Sequence, residues 1–146
     1  MNALVRILGI DFGSKRVGLS ISDPLGIIAK PFGTLNNDKK FWCRLKKIVE
    51  EEAVGSFVVG KPLTLRGEIG HKAMEVQVFM DRLRKETGLE VYSCDERFST
   101  SIAEQTLTRM NTKKKNRNAK DGTLDSMAAA IILQDFLDRK KNSLVC

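Results

Sequence analysis

The stretch LVRILGIDFG (residues 4–13) decides how the rest of the chain is interpreted. It is a nearly continuous apolar run, which predicts a buried strand, and it ends in a carboxylate at Asp11. Gly13 follows two residues later and lets the backbone turn sharply. An acid at the end of a buried strand either caps a turn or takes part in chemistry, and the rest of the chain has to decide between the two.

Composition limits the class of protein. The 146 residues, 42% hydrophobic and 29% charged, predict one globular domain over residues 1–146. No window approaches the roughly 18 apolar residues that span a bilayer, and no secretory signal is recognisable, so we expect a cytoplasmic protein without a membrane partner. Three scattered cysteines and the single histidine, His71, argue against disulfides, a zinc site or a histidine-driven nucleophile.

The charge balance favours a polyanionic partner. The chain has 25 Lys and Arg against 18 Asp and Glu, a formal charge of +7, which favours approach to nucleic acid. Five of these cations fall within residues 111–120, which contain no acid and predict a mobile basic loop. We interpret this loop as an arm that contacts phosphates, and a solvated surface loop is the alternative.

The first part of the chain predicts a three-stranded antiparallel meander. Apolar and polar residues alternate over 16–22, which indicates a second strand, and the short connection through Gly13 makes it antiparallel to the first. A third strand runs through residues 27–34. Because Pro31 cannot donate a ladder hydrogen bond, this strand is expected at an edge of the sheet.

The apolar period then changes to helical spacing and alternates with short strands. The predicted elements are a helix from Asn37 or Asp38 to Ala53 that Gly55 ends, a strand over 57–60, a helix over 69–87 that Gly88 ends, a strand over 89–94, a helix over 101–110 and a last helix that Asp121 caps. This order predicts an α/β fold whose five-stranded mixed sheet joins the meander to two parallel strands, with helices on both faces.

The last helix carries an acid among apolar residues. Apolar residues follow Asp125 at offsets of three, four, seven, eight, eleven and twelve, so its carboxylate lies on the side that faces the sheet. A charge in that position is costly unless a partner neutralises it, which favours a role in a site. The alternative is an acid held at the helix start by the dipole.

Three acids are expected at one edge of the sheet. Asp11 ends the first strand, Glu96 follows the fifth, and Asp125 points inward from the last helix. Carboxylates that close together repel, and a divalent cation is the usual solution. Mg²⁺ or Mn²⁺ suits such an oxygen-ligand site. Asp95 is the alternative to Glu96, because a one-residue change of register exchanges the two.

Five blocks of the sequence together resemble one family. They are GIDFG (residues 9–13), RVG (16–18), VVGKP (58–62), DERFST (95–100) and DSMAAAIILQ (125–134), in this order over almost the whole chain. In these blocks the chain resembles the YqgF family, small bacterial proteins described as Holliday junction resolvase-like nucleases and implicated in processing pre-16S rRNA. The resemblance implies a ribonuclease H-like fold, a divalent-metal site and phosphodiester cleavage.

The resemblance also implies residue roles. The family's catalytic and metal-binding acids fall on Asp11, Glu96 and Asp125. Lys61 departs from the pattern, in which an apolar residue is expected, and its cation either contacts substrate or extends along the surface. The residues predicted to bind substrate are Lys15, Arg16, Lys61, Arg97, Ser99, Thr100, Lys113, Lys114, Lys115 and Arg117.

The predicted function is that of a metal-dependent nuclease, a hydrolase acting on ester bonds. One or two Mg²⁺ or Mn²⁺ ions would activate water and stabilise the leaving oxygen. The expected substrate is the 5′ end of pre-16S rRNA, with transient association with a ribosomal subunit and a monomer or weak homodimer in solution. The alternatives are a Holliday junction resolvase acting on branched DNA and a non-catalytic, nucleic-acid-binding ribosome-assembly factor.

One block of the sequence also fits a class of proteins other than the nucleases. The block GIDFG (residues 9–13) also resembles the phosphate loop of actin-like and sugar-kinase ATPases. Those proteins need a second, similar half to close over the nucleotide, and 146 residues are too few to supply it. An ATPase is therefore the least favoured of the alternatives.

Overall fold

The computed structural model describes residues 5–61, 71–95 and 123–145. Its elements are β1 (Arg6–Asp11), β2 (Arg16–Ser22), β3 (Ala29–Asn36), α1 (Phe41–Glu51), β4 (Val54–Lys61), α2 (His71–Thr87), β5 (Glu90–Asp95) and α3 (Thr123–Val145). This order agrees with the sequence prediction for the described part. The predicted helix over 101–110 and the basic loop over 111–120 lie outside the described residues.

The five strands form one mixed sheet in the order β3-β2-β1-β4-β5. β1, β2 and β3 pair antiparallel, while β4 pairs parallel with both β1 and β5. The predicted meander joined to two parallel strands is therefore confirmed. β3 lies at an edge, as Pro31 indicated, and its register with β2 shifts beside that proline.

Alternation along the strands divides the core between two faces. The α1/α2 face carries large apolar side chains that pack under α1 and α2: Leu8, Ile10, Val17, Leu19, Phe57 and Val59 against Phe41, Leu45, Val76 and Leu83. On the α3 face, Ile7, Val58 and Cys94 pack against Ile132, Leu133 and Leu137 of α3. Helices therefore cover both faces, as predicted.

Small residues let α3 approach the sheet closely. A Cβ atom at Gly9 would lie 2.7 Å from Leu133 Cβ, and a Cβ atom at Gly18 would overlap the backbone carbonyl of Asp125. Between them, the buried Ser20 Oγ donates a 2.7 Å hydrogen bond to the carbonyl oxygen of Ala129. The backbone of α3 consequently lies directly on β1 and β2.

The predicted start of the first helix was wrong. α1 begins at Phe41 with Lys40 as N-cap and has no side-chain capping bond. Asn37 is engaged elsewhere, since its Nδ2 donates to the Gly13 carbonyl at 3.0 Å. The Asp38 carboxylate accepts the Lys40 N–H at 3.0 Å, in a turn that precedes the helix. Asn37 and Asp38 therefore stabilise the segment that precedes α1 and do not cap the helix.

The predicted end of that helix was also wrong. α1 ends at Glu51, Ala53 takes a positive φ of 54°, and Gly55 lies inside β4. The Ala53 carbonyl accepts the N–H of Arg6 at 2.9 Å, which fixes this turn beside β1. A long-range bond thus imposes on alanine the conformation that glycine adopts most readily.

The second helix ends as predicted. Gly88 has a φ of 70° and donates its N–H to the Arg84 carbonyl at 2.8 Å, which closes α2. Among the helices of the described residues, none is both long and apolar enough to cross a membrane.

Candidate active site

Asp11 is the last residue of β1, at the edge where the parallel strands end. Alternation from Ile7 and Gly9 places it on the α3 face, where it is half-buried. It pairs with Gly18 of β2, and the register that pairs Ile10 with Val59 brings Gly60 of β4 to its other side. Both strand neighbours of Asp11 therefore lack a side chain, which leaves room above the sheet.

Asp125 reaches the same place from the first turn of α3. Its backbone lies against Gly18, the residue that pairs with Asp11. Its side chain is 31% exposed and shares the sheet-facing side of α3 with Ala129 and Leu133, which are fully buried. The glycine in β2 is therefore what brings the strand acid and the helix acid together on one face.

The carboxylate of Asp125 faces a cation but is not fully satisfied. Arg16 Nε lies 3.2 Å from Asp125 Oδ2, within ion-pair distance. The same Oδ2 atom is buried and has no hydrogen-bond partner within residues 5–61, 71–95 and 123–145. A buried carboxylate oxygen of this kind favours a positive ligand, and two carboxylates beside a glycine are a donor set that suits Mg²⁺ or Mn²⁺.

The third predicted acid lies outside the described residues. Within residues 5–61, 71–95 and 123–145, no group of three or more His, Cys, Asp or Glu side chains converges as a metal site. The end of β5 nevertheless belongs to this edge, because Cys94 pairs with Gly60 and packs on the α3 face. The Cys94 thiol donates to Asp135 Oδ2 at 3.2 Å.

The hairpin after Asp11 is held by polar contacts from Asn37 and by an aromatic contact of Phe12. Asn37 donates its side-chain amide to the Gly13 carbonyl at 3.0 Å and its backbone N–H to the Lys15 carbonyl at 2.9 Å. On the α1/α2 face, the Phe12 ring packs on Phe79 of α2 with centroids 4.5 Å apart. These contacts fix the end of β1 and with it the position of Asp11.

The predicted substrate-binding residues are not all near these acids. Lys15 is exposed in the β1–β2 connection and Arg16 contacts Asp125. Lys61 follows the alternation of Phe57 and Val59 onto the α1/α2 face, where its Nζ donates to Gln77 Oε1 at 3.0 Å. The structure therefore does not bring Lys61 to the acids. The other predicted contacts lie outside the described residues: Arg97, Ser99, Thr100, Lys113, Lys114, Lys115 and Arg117.

Two features of the site were missed by reasoning from the sequence. The Arg16–Asp125 contact joins residues that are far apart in the chain, so no local sequence pattern predicts it. The role of Gly18 as the floor beneath Asp125 was missed as well, although the glycine is part of the RVG block at 16–18. That block was the available signal, because a glycine inside a strand often marks close approach of another backbone.

The fold is ribonuclease H-like, of the type found in RuvC-like resolvases. Thermus thermophilus RuvC in complex with a Holliday junction substrate superposes with a TM-score of 0.61 at 14% identity, over 95% of this chain and 98% of that chain. The fowlpox virus resolvase in complex with Holliday junction DNA superposes with a TM-score of 0.53 at 12% identity, over 93% of this chain and 99% of that chain.

The sequence gives a narrower assignment. The model of the family described as "RuvX: Holliday junction resolvase" matches residues 5–139, and the chain belongs to this family. A relative from Sulfurihydrogenibium sp. is 40% identical over 136 residues, 92% of this chain and 90% of that protein. One from Fusobacterium nucleatum is 41% identical over 138 residues, 93% and 99% respectively. Both carry the name "Putative pre-16S rRNA nuclease". The family resemblance found in the sequence is confirmed.

Proposed function

We propose that this chain is a nuclease that hydrolyses phosphodiester bonds at the 5′ end of pre-16S rRNA. The observation that carries the proposal is the meeting of Asp11 and Asp125 across Gly18, at one edge of a ribonuclease H-like sheet. The names of its relatives, matched over more than nine tenths of this chain, support rRNA as the substrate. Branched DNA is the second candidate, because the description of the matching family names a Holliday junction resolvase.

Asp11 and Asp125 are the proposed ligands of Mg²⁺ or Mn²⁺. The assignment is supported by the buried Asp125 Oδ2, which has no hydrogen-bond partner among the described residues, and by the lack of a side chain at Gly18. When bound, such an ion polarises the phosphate and lowers the pKa of water to supply the nucleophile. The contribution of the protein is to hold two carboxylates on rigid elements, with the β1 end fixed by Asn37 and Phe12.

Glu96 is the proposed third ligand. Cys94, two positions earlier in the sequence, packs on the same face as α3, whereas Ser93 is exposed. Successive residues of a strand alternate between faces, which favours Glu96 over Asp95 as the partner of Asp11. This choice rests on the position of Cys94 and on the family resemblance.

Substrate phosphates are proposed to meet cations around this pair. Lys15 is exposed beside the β1 end, and Arg16 lies next to Asp125. Further phosphate contacts are proposed for Arg97, Ser99, Thr100, Lys113, Lys114, Lys115 and Arg117 on sequence grounds. The net charge of +7 supports binding to nucleic acid. Such a substrate implies a cytoplasmic location and transient contact with a ribosomal subunit.

The test is a cleavage assay on two substrates. A pre-16S rRNA fragment with its 5′ extension and a four-way DNA junction are each incubated with the protein and Mn²⁺, with and without EDTA. We expect Mn²⁺-dependent cleavage of the rRNA, and a loss of roughly 10²–10³-fold in Asp11→Asn and in Asp125→Asn, since metal-ligand contacts stabilise the transition state by several kcal/mol. Asp138→Asn is the matched control, because Asp138 is an exposed acid further along α3 and lies near Ile7, at the start of β1 rather than its end.

The outcomes separate the three candidate functions. Preferential cleavage of the junction would replace rRNA by branched DNA as the substrate. Salt-dependent binding of rRNA without any cleavage would indicate a non-catalytic assembly factor. Undiminished cleavage by Asp11→Asn would remove that residue from the site and contradict the proposal.

A further inference from the structure

Arg16 places a permanent positive charge inside the candidate metal site. It is the first residue of β2 and lies two positions before Gly18, on the face that α3 covers. Its Nε atom is 3.2 Å from Asp125 Oδ2, and its side chain is 41% exposed. A guanidinium stays charged at all pH values that the protein tolerates. The carboxylate therefore has a counter-ion before any metal arrives.

The surroundings of Arg16 make this contact replaceable. The first turn of α3 presents the positive end of its helix dipole, which disfavours a cation there, and the Asp125 carboxylate supplies an opposing attraction. The approach of Arg16 Nε to Asp125 Oδ2 lacks the hydrogen-bond geometry that strengthens arginine–carboxylate pairs. A partly exposed pair of this kind is weak.

We propose that Arg16 is a resident counter-ion which a divalent cation must displace from Asp125. The guanidinium and the metal compete for the same oxygen, so Arg16 lowers the metal affinity of the free protein. Nucleic acid relieves the competition, because a substrate phosphate offers the displaced guanidinium a new partner. Metal binding and substrate binding are then coupled, each tightening the other. This inference rests on the metal site proposed for Asp11 and Asp125.

The change in metal affinity when Arg16 is removed has opposite signs for a competing and for a purely structural Arg16. If Arg16 only stabilised the start of α3, its loss would disturb Asp125 and weaken metal binding. If Arg16 competes with the metal, its loss strengthens metal binding. Metal affinity measured without turnover therefore decides between the two roles, whatever happens to activity.

The experiment is calorimetric titration of the full chain with Mn²⁺ alone. Arg16→Gln keeps much of the side-chain stem, and Arg16→Ala is the second variant in case the glutamine itself bonds Asp125. We expect Mn²⁺ to bind roughly three- to tenfold more tightly to both than to the unmodified chain. The matched control is Arg44→Gln, which removes the same charge from the Arg44–Asp38 pair by α1, where the contact is 3.6 Å and Arg44 is 42% exposed.

Equal or weaker Mn²⁺ binding in both Arg16 variants, with binding still lost in Asp125→Asn, would overturn the competition and leave the proposed metal site intact. Equal tightening in Arg44→Gln would also overturn it, because net charge alone would explain the gain. If Mn²⁺ binding does not depend on Asp11 and Asp125, the metal site itself is wrong and the inference fails with it.

Discussion

The two faces of the sheet differ most across β1 and β2, which carry large apolar side chains on one face and small or polar ones on the other. Across β1 and β2, the pairs Leu8–Ile21 and Ile10–Leu19 face α1 and α2, and all four residues are buried. The pairs in between, Gly9–Ser20 and Asp11–Gly18, face α3. Along these strands the α1/α2 face buries large apolar side chains. The α3 face has small side chains there, so the backbone of α3 lies on the strands.

Because of this difference, we expect side chains on the α1/α2 face to contribute mainly to stability and those on the α3 face to position the candidate site. Large side chains keep a helix away from a sheet, whereas glycine marks sites where another backbone comes close. Only the close approach brings the first turn of α3, and thus Asp125, to the end of β1. Substitutions on the α1/α2 face should therefore lower stability without changing cleavage per folded molecule. Substitutions on the α3 face should change cleavage as well.

The largest expected effect is on stability, from the α1/α2 face. Phe57 is fully buried under α1 and α2, and Phe57→Ala is expected to lower the free energy of unfolding by about 3–5 kcal/mol. Urea denaturation measures this change. Cleavage per folded molecule should stay near that of the unmodified chain, because Phe57 does not face α3. Loss of activity in the folded fraction would contradict the separation of the two faces.

A smaller change in stability with a larger change in activity is expected from the α3 face. In Gly18→Ala the new methyl group overlaps the Asp125 carbonyl, so the start of α3 must move. We expect a loss of about 1–3 kcal/mol in unfolding free energy, and a cleavage rate lowered by about tenfold or more because the two acids separate. Denaturation and single-turnover cleavage measure the two effects.

The matched control for that substitution is Gly55→Ala. The atoms nearest to its Cβ would be those of Val5, with Cγ2 at 2.7 Å and Cβ at 2.9 Å. Val5 precedes the start of β1, at the end opposite Asp11, so a local shift there leaves the two acids in place and little change in cleavage is expected. If both alanine variants lose activity equally, the close approach at Gly18 has no special role.

The smallest expected effect is a pH dependence at the other end of the α3 face. The N–H groups of Ile28 and Ile27 donate to the exposed Asp23 carboxylate and hold its pKa below the ordinary value of 3.8. A carboxyl with a lowered pKa stabilises the fold above its unfolded pKa and loses that contribution as the pH falls through the folded value. Asp23→Asn should therefore flatten the decrease of melting temperature below about pH 4.

Cleavage at neutral pH should not change in Asp23→Asn, since this turn lies beneath the middle of α3, where Gln134 contacts Ile27 and Ala29. If the melting temperature of Asp23→Asn falls at low pH as it does in the unmodified chain, the Asp23 turn does not contribute to the pH dependence of stability. A loss of cleavage would show that the two ends of the α3 face are coupled.

Local patterns in the sequence predicted most of the architecture. Two-residue alternation and helical spacing gave the elements, and Pro31 indicated which strand lies at an edge. The offsets after Asp125 indicated its sheet-facing side, because a helix fixes these directions within a few turns. Helix ends were less predictable. α1 ends at Glu51, before Gly55, and the turn that follows is bonded to the Arg6 N–H through the Ala53 carbonyl, a contact that no local pattern predicts.

The sequence by itself determined which acids are available, the class of fold and the family. Only the tertiary structure decided what these residues meet. Gly18 lies opposite Asp11 because of strand register, and Asp125 lies over Gly18 because α3 packs there. The same pairing turns Lys61 to the other face and Arg16 toward Asp125. Strand register and the packing of α3 depend on contacts between residues that are distant in the chain. These residues therefore come together only when the whole sheet has formed.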